Sequence, residues 1–234
     1  MIQQHINILN EKLNTLNAEE IIRHVHEVFG TKILFSSSLG AEDQVITHMI
    51  ATLKLPLRII TLDTGRQFSE SYDLLQKTTA RYNIPVEVFF PSHHKVEEMV
   101  NSHGINLFYD SVENRKLCCN VRKIEPLKRA LQGMDAWITG LRREQSVTRT
   151  EMDYAEPDNL FGIIKINPLL GWTEKEVWDF VGEHKIPYNT LHDKGFRSIG
   201  CQPCTRAVMQ DEDIRAGRWW WELPEMKECG LHKK

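Results

Sequence analysis

Five cysteines carry the reactive potential of this chain: Cys118, Cys119, Cys201, Cys204 and Cys229. The first four are spaced as an adjacent pair, 81 intervening residues and a Cys-x-x-Cys. Four thiolates can bind zinc or an iron–sulfur cluster. Adjacent cysteines cannot make the spaced knuckle that grips a zinc ion, and neighbours on a helix point roughly 100° apart. The wider corners of a [4Fe–4S] cube accept that splay. The spacing therefore favours a cluster over zinc and leaves buried, unliganded thiols as a third reading. Arg122 and Lys123, one turn after Cys119, are placed to offset a cluster's negative charge. Cys229 stands apart, sixth from the end, among Arg215, Arg218, His232, Lys233 and Lys234. Cationic surroundings lower a thiol's pKa, and the thiolate is the nucleophile. A terminal segment can enter a pocket and leave it again, so Cys229 reads as an attacking thiol on a tail, 211–234. An odd cysteine count in a reducing compartment argues for metal or catalysis rather than disulfides.

The elements that must position these groups follow from apolar patterning. Residues 1–16 read as an amphipathic helix, and Asn17 with Glu20 as the capping box of a second helix ending at Gly30. Strands are expected at 32–36, 57–62, 86–90, 136–139 and 163–166, with helices at 44–53, 69–82, about 94–102, from Cys118 to about Leu131, and from the Thr173–Glu176 capping box to about His184. The fold class is α/β: alternation of this kind implies a mostly parallel sheet with helices on both faces. Ligands bind beyond the carboxyl ends of such strands. Those ends carry Ser36-Ser37-Ser38-Leu39-Gly40, Asp63-Thr64-Gly65-Arg66 and Gly140-Leu141-Arg142-Arg143. A strand, a Ser/Gly turn and a helix start make an anion site, because free N–H groups and the helix dipole face the ligand. Each loop also has a plainer reading, as an ordinary turn with solvated arginines. From Pro187 the chain is loop-rich. With no repeat or linker, it reads as a single domain over 1–234, with its core at about 18–200.

Composition narrows the function. A formal charge of −3, from 29 basic and 32 acidic residues, gives no general attraction to nucleic acid or membrane. An apolar content of 41% suits a folded chain. The start, Met1-Ile2-Gln3-Gln4-His5, shows no basic run before an apolar one, and no apolar stretch approaches a membrane span. The expectation is a cytoplasmic protein, with a homo-oligomer left open.

Taken together, Ser-Ser-Ser-Leu-Gly-Ala-Glu-Asp, Leu-Asp-Thr-Gly-Arg, Cys-Cys-Asn-Val-Arg-Lys, Gly-Leu-Arg-Arg-Glu-Gln-Ser, Cys-Gln-Pro-Cys, Arg-Ala-Gly-Arg-Trp-Trp-Trp-Glu and Glu-Cys-Gly-Leu-His make the chain resemble the assimilatory sulfonucleotide reductases, of the adenine-nucleotide α-hydrolase-like fold. It is similar to their iron–sulfur branch, which reduces adenosine 5′-phosphosulfate (APS) with thioredoxin, over residues from about 18 to 232. The resemblance implies that Cys118, Cys119, Cys201 and Cys204 ligate one [4Fe–4S] cluster and that Cys229 is the nucleophile. It gives Lys123, Arg215, Arg218 and His232 to the phosphosulfate. It gives Ser36, Ser37, Ser38, Gly40, Leu62, Thr64, Gly140 and Arg142 to the nucleotide. The same chemistry on the 3′-phosphorylated substrate (PAPS) is the alternative. The chain lacks the Ser-Gly-Gly-x-Asp-Ser loop of ATP pyrophosphatases, which counts against ATP cleavage. The absence of a basic recognition helix counts against a DNA-binding iron–sulfur sensor.

Overall fold

The apolar run Ile33–Ser37 forms β1, and the sheet is laid out from it. The computed structural model describes residues 2–145, 152–209 and 211–223. β1 pairs in parallel with β2 (Arg58–Leu62) and with β4 (Ala136–Ile138), and β4 pairs in parallel with β6 (Ile163–Ile166). With β3 (Val86–Phe89) and β5 (Ala155–Asp158), the order is β3-β2-β1-β4-β6-β5. The expected mostly parallel sheet is therefore present. Its central strands are continuous apolar runs because both faces are covered: Leu34, Phe35, Ile60, Ala136 and Ile138 are fully buried.

β5 is the strand that apolar patterning does not announce. Ala-Glu-Pro-Asp has no alternation, and it runs antiparallel to β6 at the sheet's edge, where a proline is tolerated. The edge is partly closed by helix α1 (Ile2–Leu13). The Asn10 amide donates to the Ala155 carbonyl at 2.9 Å and accepts from the Ala155 N–H at 2.8 Å, as a neighbouring strand would.

The chain forms two compact units. The first comprises Met1–Thr61, Glu70–Glu87 and Gly133–Thr190; the second comprises Leu62–Ser69, Val88–Gln132 and the chain from Leu191 onward. In the first, α2 (Ala18–Phe29) starts at the expected Asn17–Glu20 capping box and buries Ile21, Ile22 and Val25. Helix α3 (Ala41–Thr52) buries Val45, Ile46, Met49 and Ile50 in the same core. Helix α4 spans Ser69–Tyr82 as expected, and α8 (Glu174–Glu183) starts at the Thr173–Glu176 box. The second unit has a smaller core of Met99, Leu107, Phe108, Val121, Cys204 and Trp219, with Met99 on α5 (His93–His103).

The second unit also corrects one expectation. Cys118 and Cys119 do not open a helix; they close α6 (Val112–Cys119), which Ser111 caps by accepting from the Asn114 N–H. A π-helical segment, Asn120–Ile124, leads into α7 (Glu125–Ala130). The cause is Pro126. It has no N–H for the carbonyl of Arg122, and its ring crowds that carbonyl. The ladder slips by one residue, so the Glu125 N–H reaches back to Asn120. Such single π-turns recur at functional sites, and this one carries Arg122 and Lys123.

Candidate active site

In the first unit, the loop after β1 is organised by Asp43. Its carboxylate accepts from the Ser38 N–H at 2.5 Å and the Ser38 hydroxyl at 2.6 Å. Leu39 holds φ +62, a left-handed conformation uncommon for a leucine, while its N–H donates to Ser37 Oγ. Gly40 then serves as the N-cap of α3. The anion-site expectation needs refinement here, because the Ser38 N–H is already engaged by Asp43. At Gly140 a Cβ would drive into the Asp43 carboxylate, so only glycine allows this approach. Arg142, 2% exposed, is no solvated arginine: its Nε donates to Glu42 at 2.8 Å, and Gln145 donates to the same carboxylate. With Glu42 and Asp43 lining it, the loop suits the uncharged groups of a nucleoside better than a polyanion.

Burial lifts Asp43 to about 6 against the ordinary 3.8; the Ser38 hydrogen bonds pull the other way. The folded chain thus holds a proton that the unfolded chain has released between those two values. Stability from this group is full below pH 3.8 and falls as pH rises to about 6, by roughly 3 kcal/mol for about two units. Asp43→Asn is expected to flatten that part of the stability–pH curve in urea unfolding. Superimposable slopes for the two proteins between pH 4 and 6 would contradict the assignment.

The second unit gathers the cysteines. Cys118 and Cys119 from α6, and Cys201 and Cys204 from the Cys-Gln-Pro-Cys turn, line one pocket of about 380 Å³, its solvent-filled mouth included. Five cations, Arg66, Arg115, Arg122, Lys123 and Arg218, line it with them. The turn is fixed by its own bonds: Thr205 Oγ1 donates to the Cys201 carbonyl at 2.9 Å and accepts from the Gly200 N–H. The segment after β2 is joined to it. The Gln202 N–H donates to the Arg66 carbonyl at 2.8 Å, and Thr64 Oγ1 lies 3.3 Å from Cys201 Sγ. Arg122 donates to the Thr64 carbonyl at 2.7 Å, so the π-turn and this loop are locked together.

The other cations are held from behind. Arg115, fully buried, forks onto Glu222 with bonds of 2.7 and 3.0 Å and lies 4.5 Å from the Trp219 ring centroid. Arg218 covers the same ring at 4.8 Å. Among the described residues, Arg218 Nε and Trp219 Nε1 are buried and find no hydrogen-bond partner. Burial and the neighbouring Cys201 push the Cys204 thiol up to about 12, against the pull of Lys123 and Arg218. Burial also raises Cys118.

These residues fit a metal–sulfur group. Four cysteines line one pocket with five cations, and Arg218 and Trp219, which line it too, each carry a buried donor with no partner among the described residues, suited to sulfide or thiolate acceptors. A metal core takes such sulfurs by displacing their protons.

Of the residues singled out in the sequence, the pocket brings together the cysteine quartet, Arg66, Arg122, Lys123 and Arg218, with Thr64 in contact through Cys201. Arg215 is half-buried, and its N–H donates to Asp213. Ser36 is half-buried on β1, Gly40 is half-buried in the loop after it, and Leu62 ends β2. Cys229 and His232 lie outside the described residues. Arg115, which lines the pocket, and Glu222, which holds its guanidinium, are the residues that sequence reasoning missed. Arg115 had a signal: it precedes Cys118 and Cys119 by three and four residues, on one face of a helix.

The phosphoadenosine phosphosulfate reductase domain family matches residues 32–207. An adenosine 5′-phosphosulfate reductase of Allochromatium vinosum is 54% identical, over 86% of this chain and 79% of the relative. One from Burkholderia cepacia is 48% identical, over 95% and 86% respectively. Among solved structures, the phosphate complex of a phosphoadenylyl-sulfate (PAPS) reductase from Candida auris superposes with a TM-score of 0.76 at 32% identity, over 88% of this chain and 97% of that one.

Proposed function

Because this chain belongs to the phosphoadenosine phosphosulfate reductase domain family, we propose that it reduces APS to sulfite and AMP with thioredoxin, in the cytoplasm, for sulfate assimilation and cysteine biosynthesis. The observation that carries the reading is the gathering of four cysteines and five cations around one pocket, in a chain about half identical to APS reductases. Among the described residues no helix is long and apolar enough to cross a membrane.

In this reading Cys118, Cys119, Cys201 and Cys204 hold one [4Fe–4S] cluster, which supplies a fixed charge distribution and ties α6 to the Cys-Gln-Pro-Cys turn. Ser36, Ser37, Ser38, Gly40, Leu62, Thr64, Gly140 and Arg142 shape the nucleotide site. Lys123, Arg215, Arg218 and His232 hold the phosphosulfate. These cations lower the repulsion between an anionic substrate and a thiolate, and they stabilise charge growing on the departing phosphate. Cys229 thiolate attacks the sulfonate sulfur, and the S–O bond breaks with its electron pair leaving on AMP. The S-sulfocysteine so formed divides one difficult step into two. A thioredoxin thiolate then attacks Cys229 Sγ, sulfite leaves with the S–S electron pair, and the second thioredoxin thiol frees Cys229. Thioredoxin, at roughly −270 mV, supplies the two electrons of this exchange from its dithiol. The tail must withdraw to admit it, a gating motion.

PAPS is the second reading, from the Candida auris structure; its lower identity makes it the weaker one. Anaerobically purified protein, assayed with thioredoxin, is expected to yield sulfite and AMP in equal amounts. kcat/KM on APS should exceed that on PAPS at least about tenfold, some 1.4 kcal/mol. Absence of sulfite from APS, or pyrophosphate release from ATP, would overturn the proposal.

A further inference from the structure

The second unit carries an aromatic surface that none of the roles above uses. Tyr109 and Trp220 are 44% and 39% exposed, and Leu223 is 70% exposed. Trp221, half-buried, packs edge-on against both rings, with centroids 4.4 Å from Tyr109 and 4.7 Å from Trp220. The surface is pre-set rather than floppy. Tyr109 donates from its hydroxyl to the Pro203 carbonyl at 2.7 Å, inside the Cys-Gln-Pro-Cys turn. Glu222, between Trp221 and Leu223, is pinned by Arg115.

Chain length says what this surface is near. Cys229 follows Leu223 by six residues, so its Cα lies within about 20 Å of Leu223, at 3.3–3.6 Å per residue. Any protein whose thiol attacks Cys229 Sγ must come to rest within that radius. Redox encounters bury small interfaces, which a few rigid anchors can supply. Tyrosine and tryptophan are the side chains that most often do so.

We infer that Tyr109, Trp220 and Leu223 form the docking surface for the dithiol protein that reduces the Cys229 S-sulfonate. This rests on the reaction proposed above and adds where its protein reductant lands. Two other occupants are excluded by the test: the chain's own tail, and a second copy of the chain.

Trp220→Glu and, as a variant less tied to packing, Leu223→Glu are compared with the parent protein. Three quantities are measured: single-turnover S-sulfonation of Cys229 by APS without reductant, turnover with dithiothreitol, and KM for thioredoxin. The inference expects KM for thioredoxin to rise roughly tenfold or more in both variants. It expects S-sulfonation and dithiothreitol turnover to stay within about twofold, a range too small to signal a lost anchor. Unchanged KM in Leu223→Glu and Trp220→Glu overturns it. A parallel loss of S-sulfonation overturns it in favour of the tail as occupant. An altered sedimentation coefficient with unchanged KM overturns it in favour of a second copy. Failure of the parent protein to form any S-sulfonate faults the underlying reaction instead, which separates the two ideas.

Discussion

Cys229→Ser is expected to lower sulfite production from APS by a factor on the order of 10⁴ or more, as removal of a covalent nucleophile does. A serine hydroxyl at neutral pH is a poor nucleophile, and the −OSO₃ ester it would form has no sulfur–sulfur bond for a thiol to exchange. The same variant should keep its iron, its sulfide and its melting temperature, because Cys229 is not among the four cysteines proposed to hold the cluster. Conversely, serine at Cys201 or Cys204 should cost iron and stability together. Retained turnover in Cys229→Ser, or loss of iron from it, would reverse the division of labour drawn here.

Glu222→Ala should be strongly destabilising. It would remove the carboxylate partner of Arg115, which has no exposed surface, and leave the weaker partner Cys119 beside the guanidinium; removing one partner of a buried ion pair costs about 3–5 kcal/mol. For a chain of this size that corresponds to about 6–20 °C in Tm. The double variant Arg115→Met with Glu222→Leu removes both charges and should recover most of the loss, since apolar replacements of a buried pair are often neutral. The cysteine pocket should feel the single variant too, because Arg115 stacks on Trp219, whose backbone N–H donates to the Cys204 carbonyl at 3.2 Å. A Tm within about 2 °C of the parent for Glu222→Ala would show that Arg115 is stabilised by something else.

The central strands were legible in the sequence because burial on both faces leaves Ile33-Leu34-Phe35 and Ile59-Ile60 little choice but to be apolar. The two capping boxes were legible because Asn17 with Glu20 and Thr173 with Glu176 satisfy helix N–H groups within four residues. What failed was decided by distant partners. β5 exists because Asn10 and β6 supply its hydrogen bonds, and Glu-Pro-Asp announces nothing by itself. The helix around Cys118 starts earlier than expected because Ser111 caps it at Val112, while Val-Glu-Asn-Arg-Lys shows no apolar stripe; the π-turn after Cys119 is a second feature that a 3.6-residue period cannot express. The β1 loop read as a row of free N–H donors, since nothing in Ser-Ser-Ser-Leu-Gly reveals that Asp43 turns back onto Ser38. The candidate site divides the same way: the cysteine quartet and Lys123 are read from spacing and motif, whereas Glu222 meets Arg115 across 107 positions.

The most direct test of the account is to map the covalent adduct. Anaerobic protein is mixed with APS in the absence of any thiol, digested and examined by peptide mass spectrometry. One added sulfonate on the peptide containing Cys229, removed by thioredoxin with release of one sulfite, is the expected result. A sulfonate on Cys118, Cys119, Cys201 or Cys204, or sulfite production with Cys229 unmodified throughout, would contradict it.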